Sequence, residues 1–368
     1  MPLAFSRRDF LKASGAGLLG LFLADLRLEH VFAAEMPKQG RSTMSGIDIF
    51  SEPFFNAKKK YMLRQDEVVN ISGEAQGDYG YGNAFNSTWY QINGEGYVYS
   101  GVIQPVETVH QKPVFDIAEV GVLGEITVPF SDTRRNSSIF ADRGYRVYYS
   151  ATHWITDVVV NRDEKSIWYK IYDRLTQESY FVASHEMRVI SPDELGLLTP
   201  GITEAEKRIY IDLANQSVTA FEGEIPVLVT RCSSGTKGSE TPLGEFRTYH
   251  KGPSVHMTNQ GDGTDNTYHL PGVPWVSFFT GSGVALHGTY WHNDYGRPSS
   301  RGCVNLTPQD AKFMYRWTRP EVPIGTPYLN QPGEGTLVQV VRANQNTSSS
   351  GESYEPNQSI KNRFRINK

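Results

Sequence analysis

Apolar and polar residues alternate in short runs along most of this chain, with a period near two and little helical period before residue 204. Runs such as Trp89-Tyr-Gln-Ile92, Gly96-Tyr-Val-Tyr-Ser100 and Ile103-Gln-Pro-Val106 are rich in Tyr, Trp, Val and Gly. Bounded by turn residues, they predict short strands in small all-β modules. A second set, Trp168-Tyr-Lys-Ile171, Tyr180-Phe-Val-Ala-Ser184 and Met187-Arg-Val-Ile190, echoes the first seventy-nine residues later. Two copies of one unit are therefore expected, over 45–110 and 118–192. Tryptophan and tyrosine at alternating positions belong in the core of such units more readily than on a ligand platform. Prolines at 192 and 200 mark a linker over 193–203, and a third domain follows over 204–342. Within it Val284-Ala-Leu-His287 reads as a strand that delivers its histidine to a loop. The only helix signal is Thr307-Pro-Gln-Asp310, with a capping hydroxyl, proline at the first helical position and an acid three after the cap. That helix should reach about Arg319 and turn Phe313, Met314 and Trp317 inward. The expected fold is thus mostly β, with one short helix.

Length fits this division, because 368 residues suggest two or three domains. A net charge of −4 gives no electrostatic argument for nucleic acid, and none is expected as a partner. The two ends differ from the middle. Ser6-Arg-Arg-Asp-Phe-Leu-Lys12 precedes an apolar run, Ala13 to Ala24, that suits a signal's hydrophobic region and is short for a membrane span. The paired Arg7 and Arg8 resemble a twin-arginine export signal over 1–34, so an exported, cell-envelope location is expected. Val31-Phe-Ala33 offers a cleavage site, while Asp25, Arg27 and Glu29 leave an uncleaved anchor as the alternative and the only membrane contact. At the other end, 343–368 has too few apolar residues to bury and is expected to be disordered.

Only two cysteines occur, Cys232 and Cys303. In an exported chain a pair can be a disulfide. Cys232, however, shares a strand face with Leu228 and Thr230 in Val227-Leu-Val-Thr-Arg-Cys232, which reads as a small buried hydrophobe. Cys303 reads differently. Ala285-Leu-His-Gly-Thr-Tyr-Trp291 and Ser300-Arg-Gly-Cys-Val-Asn305 place it sixteen positions after His287, each at the edge of an apolar run. A cysteine attacks as thiolate, and an imidazole can take its proton at neutral pH. The preceding Gly302 lets backbone N–H groups approach a developing oxyanion.

These residues resemble the signature of the L,D-transpeptidase (YkuD-like) catalytic domain: a histidine, a spacer, then Ser-His/Arg-Gly-Cys-x-Asn. Lys207-Arg-Ile-Tyr-Ile-Asp-Leu-Ala-Asn-Gln-Ser-Val-Thr-Ala-Phe221 looks like that domain's opening hairpin, and Thr241-Pro-Leu-Gly-Glu-Phe246 like its Thr-Pro-x-Gly-x-Phe segment. The resemblance covers about 204–341, and Arg301 stands where many members have histidine. The two N-terminal units are similar to bacterial SH3-like barrels, which implies spacer or wall-targeting roles. The family implies a reaction in which Cys303 attacks the third residue of a peptidoglycan tetrapeptide stem and expels D-alanine. His287 would move the protons, the Gly288 carbonyl would orient it, and Gly302 and Cys303 N–H groups would meet the oxyanion. Asp294, Ser299 and Ser300 remain alternatives for the orienting group. Arg301 is read as a partner for a substrate carboxylate, as an aid to the thiolate or as a structural residue of its loop. Tyr268-His269-Leu-Pro-Gly-Val-Pro-Trp275 looks like a cleft segment, so Tyr268 and Trp275 join Arg301 and Ser300 as candidate substrate contacts. Trp275 reads equally as core, and His292 as solvated or lining the pocket. Asn305 belongs to the motif, where its amide is expected to hold the turn. No cofactor is implied, stem peptides are the expected partners, and carbapenem β-lactams the expected inhibitors.

Two other readings compete. His256, His269, His287, His292 and Cys303 lie in one region, yet none has the short helical or knuckle spacing of a zinc site, so no metal is expected. A non-catalytic wall-binding protein is the second, and water as acceptor would make the same site an L,D-carboxypeptidase.

Overall fold

The computed structural model describes residues 38–258 and 268–343. Arg7, Arg8 and the rest of the export segment, and residues 344–368 of the expected tail, lie outside the described residues. Among the described residues no helix is long and apolar enough to cross a membrane.

The repeat read in the sequence is a repeat in topology. Residues 39–106 form seven strands, and residues 122–189 form seven more. Numbered along each unit, the strands lie in the same spatial order in both, 3-2-6-5-4-1-7, and pair antiparallel throughout. Trp89-Tyr-Gln-Ile92 and Trp168-Tyr-Lys-Ile171 both sit in the fifth strand. Their Trp, Tyr and Ile side chains are buried, because the aromatic and branched residues on these strands are the bulk that fills so small a unit.

Two five-stranded sheets make the third region. One runs in the order Ile225–Arg231, Ser217–Glu222, Lys207–Asp212, Leu337–Val341 and Gly244–Arg247. The other runs Val304–Leu306, Ala285–Gly288, His269–Phe278, His250–Thr258 and Leu329–Asn330. Lys207–Asp212 and Ser217–Glu222 form the expected hairpin, in register from Lys207 opposite Glu222. The helix covers Pro308–Trp317, capped by the Thr307 hydroxyl, which accepts from Asp310 N–H. It buries Met314 and Trp317 and packs Phe313 against the same core, ending two residues before the expected Arg319. Its C-terminal carbonyls are gathered by Lys251, whose ammonium donates to Tyr315, Thr318 and Pro320 at 2.7, 2.8 and 2.9 Å. All three protons of the buried cation are thus used, which ties the helix to the strand His250–Thr258.

The segment between second unit and third region is docked. Glu194 accepts from Arg188 on one side and Lys312 on the other, while Leu195 and Leu198 pack on the catalytic core. Asp66 of the first unit takes Arg41 and Arg146, the latter held also by Asp132 of the second. That bond to Arg146 holds the Asp132 carboxyl below its ordinary range. The second unit meets the third through Asp173 and His256, 2.7 Å apart and nearly enclosed, with side chains 3 and 8% exposed.

Candidate active site

The strands that end at the two reactive residues lie side by side. Ala285–Gly288 and Val304–Leu306 pair in parallel, with Leu286 opposite Val304 and His287 opposite Asn305. Extending that register one residue puts Cys303 beside Ala285. Because side chains alternate, Ala285, His287, Cys303 and Asn305 share one face, and histidine and thiol are neighbours along a diagonal of it. His287 is buried and Cys303 partly exposed, so the cysteine is the solvent-facing member of the pair. Cys303 packs against the apolar cluster of Val255, Val273, Val276 and Ala285, and the Trp291 ring lies 5.7 Å from that of His287.

Hydrogen bonding sets the tautomer. His287 Nδ1 is 3.0 Å from the Gly288 carbonyl oxygen. A carbonyl only accepts, so the proton sits on Nδ1 and Nε2 is left as the basic nitrogen. Burial lowers the imidazole's pKa to about 4 and pushes the Cys303 thiol above its ordinary value. At neutral pH the pair therefore rests as thiol and neutral imidazole.

The turn before Cys303 is held from three sides. Ser300 Oγ donates to the Cys303 carbonyl at 2.5 Å and accepts from Gly302 N–H at 3.2 Å. Gly302 has φ of +116°, a conformation that favours glycine. Its carbonyl accepts from Thr241 Oγ1 at 2.7 Å, and the same hydroxyl accepts from Gly235 N–H at 3.0 Å. The Thr-Pro-x-Gly segment thus acts as a brace for the cysteine turn. Thr241→Val keeps the shape and removes both bonds, leaving a buried N–H and a buried carbonyl unpaired. A cost of about 1–3 kcal/mol is expected, with roughly tenfold slower acylation of the thiol. Thermal melting and stopped-flow acylation read the two effects, and a variant matching the parent in both would show that the hydroxyl braces nothing.

Most of the residues singled out in the sequence gather here. Arg301 is exposed and lies over the Tyr268 ring, 5.1 Å from guanidinium carbon to centroid, so two candidate substrate contacts sit together, one of them two residues before Cys303. Asn305 is buried behind the turn, its amide 2.9 Å from His292 Nε2. His292 Nδ1 accepts Asp294 N–H, which leaves the proton on Nε2, opposite the Asn305 amide nitrogen; a half-turn of that amide would bring its unpartnered oxygen to face the proton. Burial lowers the His292 pKa to about 4, and the residue is half-buried with both ring nitrogens engaged, where full solvation was one expectation. Trp275 lies elsewhere, 1% exposed in the core between sheets and helix with its ring 5.4 Å from Tyr315. Its φ of +60° interrupts the strand's alternation, so that Val273 and Val276 both face the thiol side while Trp275 turns away. Cys232 is a free, fully buried thiol whose pKa burial raises to about 12. Among the described residues no group of three or more metal-ligating side chains occurs. Sequence reasoning left three supports unread: Thr241 as a brace, Ser233, which exchanges two backbone bonds with Asn305, and Tyr295, whose hydroxyl reaches the Leu306 carbonyl.

No curated protein matches this sequence. Similar solved structures include a cysteine-to-serine mutant L,D-transpeptidase from Enterococcus faecium, 23% identical, covering 37% of this chain and 50% of that one with a TM-score of 0.30. The solution structure of the catalytic domain from E. faecium L,D-transpeptidase is 25% identical, covering 37% and 96%, with a TM-score of 0.29. L,D-transpeptidase 3 from Mycobacterium tuberculosis, in complex with a faropenem-derived adduct, is 17% identical, covering 45% and 74%, with a TM-score of 0.31. The chain spans half the length of the first of these. The family model for the L,D-transpeptidase (YkuD) catalytic domain matches residues 206–340, a span that holds both strands, the cysteine turn and its Thr241 brace. The chain therefore carries an L,D-transpeptidase catalytic domain.

Proposed function

We propose that this protein is a peptidoglycan L,D-transpeptidase that works through an acyl-enzyme on Cys303. The observation that carries the reading is the parallel strand pair, which sets His287 and Cys303 on one face with the imidazole proton fixed on Nδ1 by Gly288. His287 Nε2 takes the thiol proton as sulfur attacks the carbonyl carbon of the third residue of a tetrapeptide stem. The Cys303 N–H would meet the oxyanion, joined by that of Gly302 once it leaves Ser300 Oγ, to which it donates at rest. The carbon–nitrogen bond to D-alanine breaks, and the proton on Nε2 goes to the leaving amine. An amine on another stem then attacks the thioester, His287 accepts its proton, and the sulfur leaves and is reprotonated. One amide is exchanged for another, so no cofactor is required.

Arg301 and Tyr268, stacked together next to the cysteine turn, would receive the stem, with Arg301 pairing a substrate carboxylate. Ser300 holds the turn, and Asn305 acts behind it through His292. The two N-terminal units, whose strands run over 39–106 and 122–189, would serve as SH3-like wall-facing modules. The chain would act outside the cytoplasm after export by its twin-arginine-type N-terminus.

Incubation of the purified protein with tetrapeptide muropeptides, read by mass spectrometry, tests the reading. The expected product is a dimer whose mass is two monomers less one D-alanine, linked between third residues. Loss of D-alanine without dimer would make water the acceptor and the protein an L,D-carboxypeptidase. Unchanged muropeptides would favour a wall-binding protein.

A further inference from the structure

The loop between His287 and Cys303 is tied to a part of the chain two hundred residues away. Asp294, buried in that loop, accepts from Asn83 Nδ2 and from the Tyr99 hydroxyl, both at 2.6 Å, with Arg297 Nε on its other oxygen at 2.5 Å. Further bonds join the same two segments. Asn83 Nδ2 also reaches the Tyr295 carbonyl at 3.0 Å, Asn293 N–H donates to the Gly101 carbonyl at 3.0 Å, and Arg41 Nη2 reaches the Tyr290 carbonyl at 2.6 Å. On the inner side the loop passes the constraint on. Asp294 N–H holds His292 Nδ1 at 3.2 Å, and His292 Nε2 meets the amide of Asn305, two residues beyond the nucleophile and on its face of the sheet. The Asp294 carbonyl also accepts from Ser233 Oγ at 3.1 Å, and Ser233 pairs with the Asn305 backbone.

We propose that Asp294 is a positioning residue for the nucleophile, clamped by Asn83 and Tyr99, and that the first β unit is a working part of the catalytic centre rather than a detachable module. The relay runs Asn83 and Tyr99, Asp294, His292, Asn305, Cys303. A buried carboxylate needs its donors. With the two removed, Asp294 turns toward Arg297 and water, His292 loses its fixed acceptor role, and the strand of Cys303 is released at its inner side. Two close backbone approaches fit a docked surface. A Cβ on Gly101 would fall 2.7 Å from Asp294 Oδ1, and one on Gly296 would fall 2.8 Å from Asn83 Oδ1. Neither position tolerates a side chain while the units stay docked.

The test uses the full chain and the variants Asn83→Ala, Tyr99→Phe and the double variant. Two rates are read on Cys303: alkylation by iodoacetamide, which needs only a reactive thiol, and acylation by a carbapenem, which needs the aligned site. Each is expressed per titratable Cys303, alongside circular dichroism and melting temperature. The clamp predicts that acylation falls about tenfold or more in the double variant and less in each single one. The concentration giving half-maximal rate should change little, alkylation should change by less than a factor of about three, and the fold should persist. Asn83→Asp, which sets a carboxylate against Asp294, should slow acylation at pH 7 and recover part of the rate near pH 5 as one carboxyl protonates. Acylation unchanged per titratable thiol in a correctly folded double variant overturns the proposal. If the double variant fails to fold, Tyr99→Phe, which removes one hydroxyl, decides by the same comparison. Failure of the parent itself to be acylated would count against the transpeptidase reading, and the alkylation rates with their pH profile would then decide the clamp, which predicts for Asn83→Asp a profile different from the parent's.

Discussion

Cys303→Ala is expected to abolish acylation by a carbapenem and all cross-linking, leaving a folded protein. In the proposed mechanism the Cys303 sulfur forms the bond, and the other cysteine, Cys232, is fully buried with its thiol raised to about 12. It cannot stand in. His287→Ala should retain the thiol yet react at least about a hundredfold more slowly, the usual loss when a general base is removed. Both resting groups are neutral near pH 7, so in the proposed mechanism the histidine accepts a proton that a thiol of raised pKa does not release unaided. Raising the pH should therefore rescue His287→Ala more than the parent, because hydroxide begins to generate the thiolate. Stopped-flow acylation from pH 6 to 10 reads this. Equal pH profiles for parent and variant would mean that His287 does not act as the base.

Acid should unfold this protein before it titrates most surface carboxyls. His153 and His287 are buried and His292 partly so, and each is held near a pKa of 4, against an ordinary 6.5. A histidine depressed in the folded state binds its proton more readily when unfolded. Stability is complete above about 6.5 and falls as pH drops through the window from 6.5 to 4. A shift of that size is worth up to about 3 kcal/mol for each histidine, so three together are comparable with the whole stability of an ordinary domain. Chemical denaturation at pH 7, 6, 5 and 4.5 should show a steep loss across the series. His292→Gln, which keeps an amide donor toward Asn305, should flatten part of it. A stability constant from pH 7 to 4.5 would show that these imidazoles charge freely in the folded state.

What could be read in the sequence was what local physics dictates. Trp89-Tyr-Gln-Ile92 and its echo could be paired because units this small must bury the same bulky residues at the same places, and both proved to be fifth strands of one topology. The helix after the nucleophile was legible from Thr307, Pro308 and Asp310, since a cap is a local bond. His287 and Cys303 were legible because residue type and flanking glycines restrict what such a segment can do. The supports were not, because they are long-range. Nothing near Asp294 points to Asn83, 211 positions earlier, or to Tyr99. Thr241 lay inside a matched segment, but its bond to Gly302 spans 61 residues. Trp275 read equally as cleft or core, and a positive φ, which alternation does not reveal, accompanies its turn into the core. His292 looked like a surface residue until its two ring nitrogens were seen to be engaged inside.

The most direct test of the mechanism is intact-protein mass spectrometry of the purified chain after treatment with a carbapenem, followed by peptide mapping. One adduct per chain is expected, carried by the peptide that contains Cys303 and absent from Cys303→Ala. An adduct on any other residue, or full cross-linking activity in Cys303→Ala, would contradict the acyl-enzyme at Cys303.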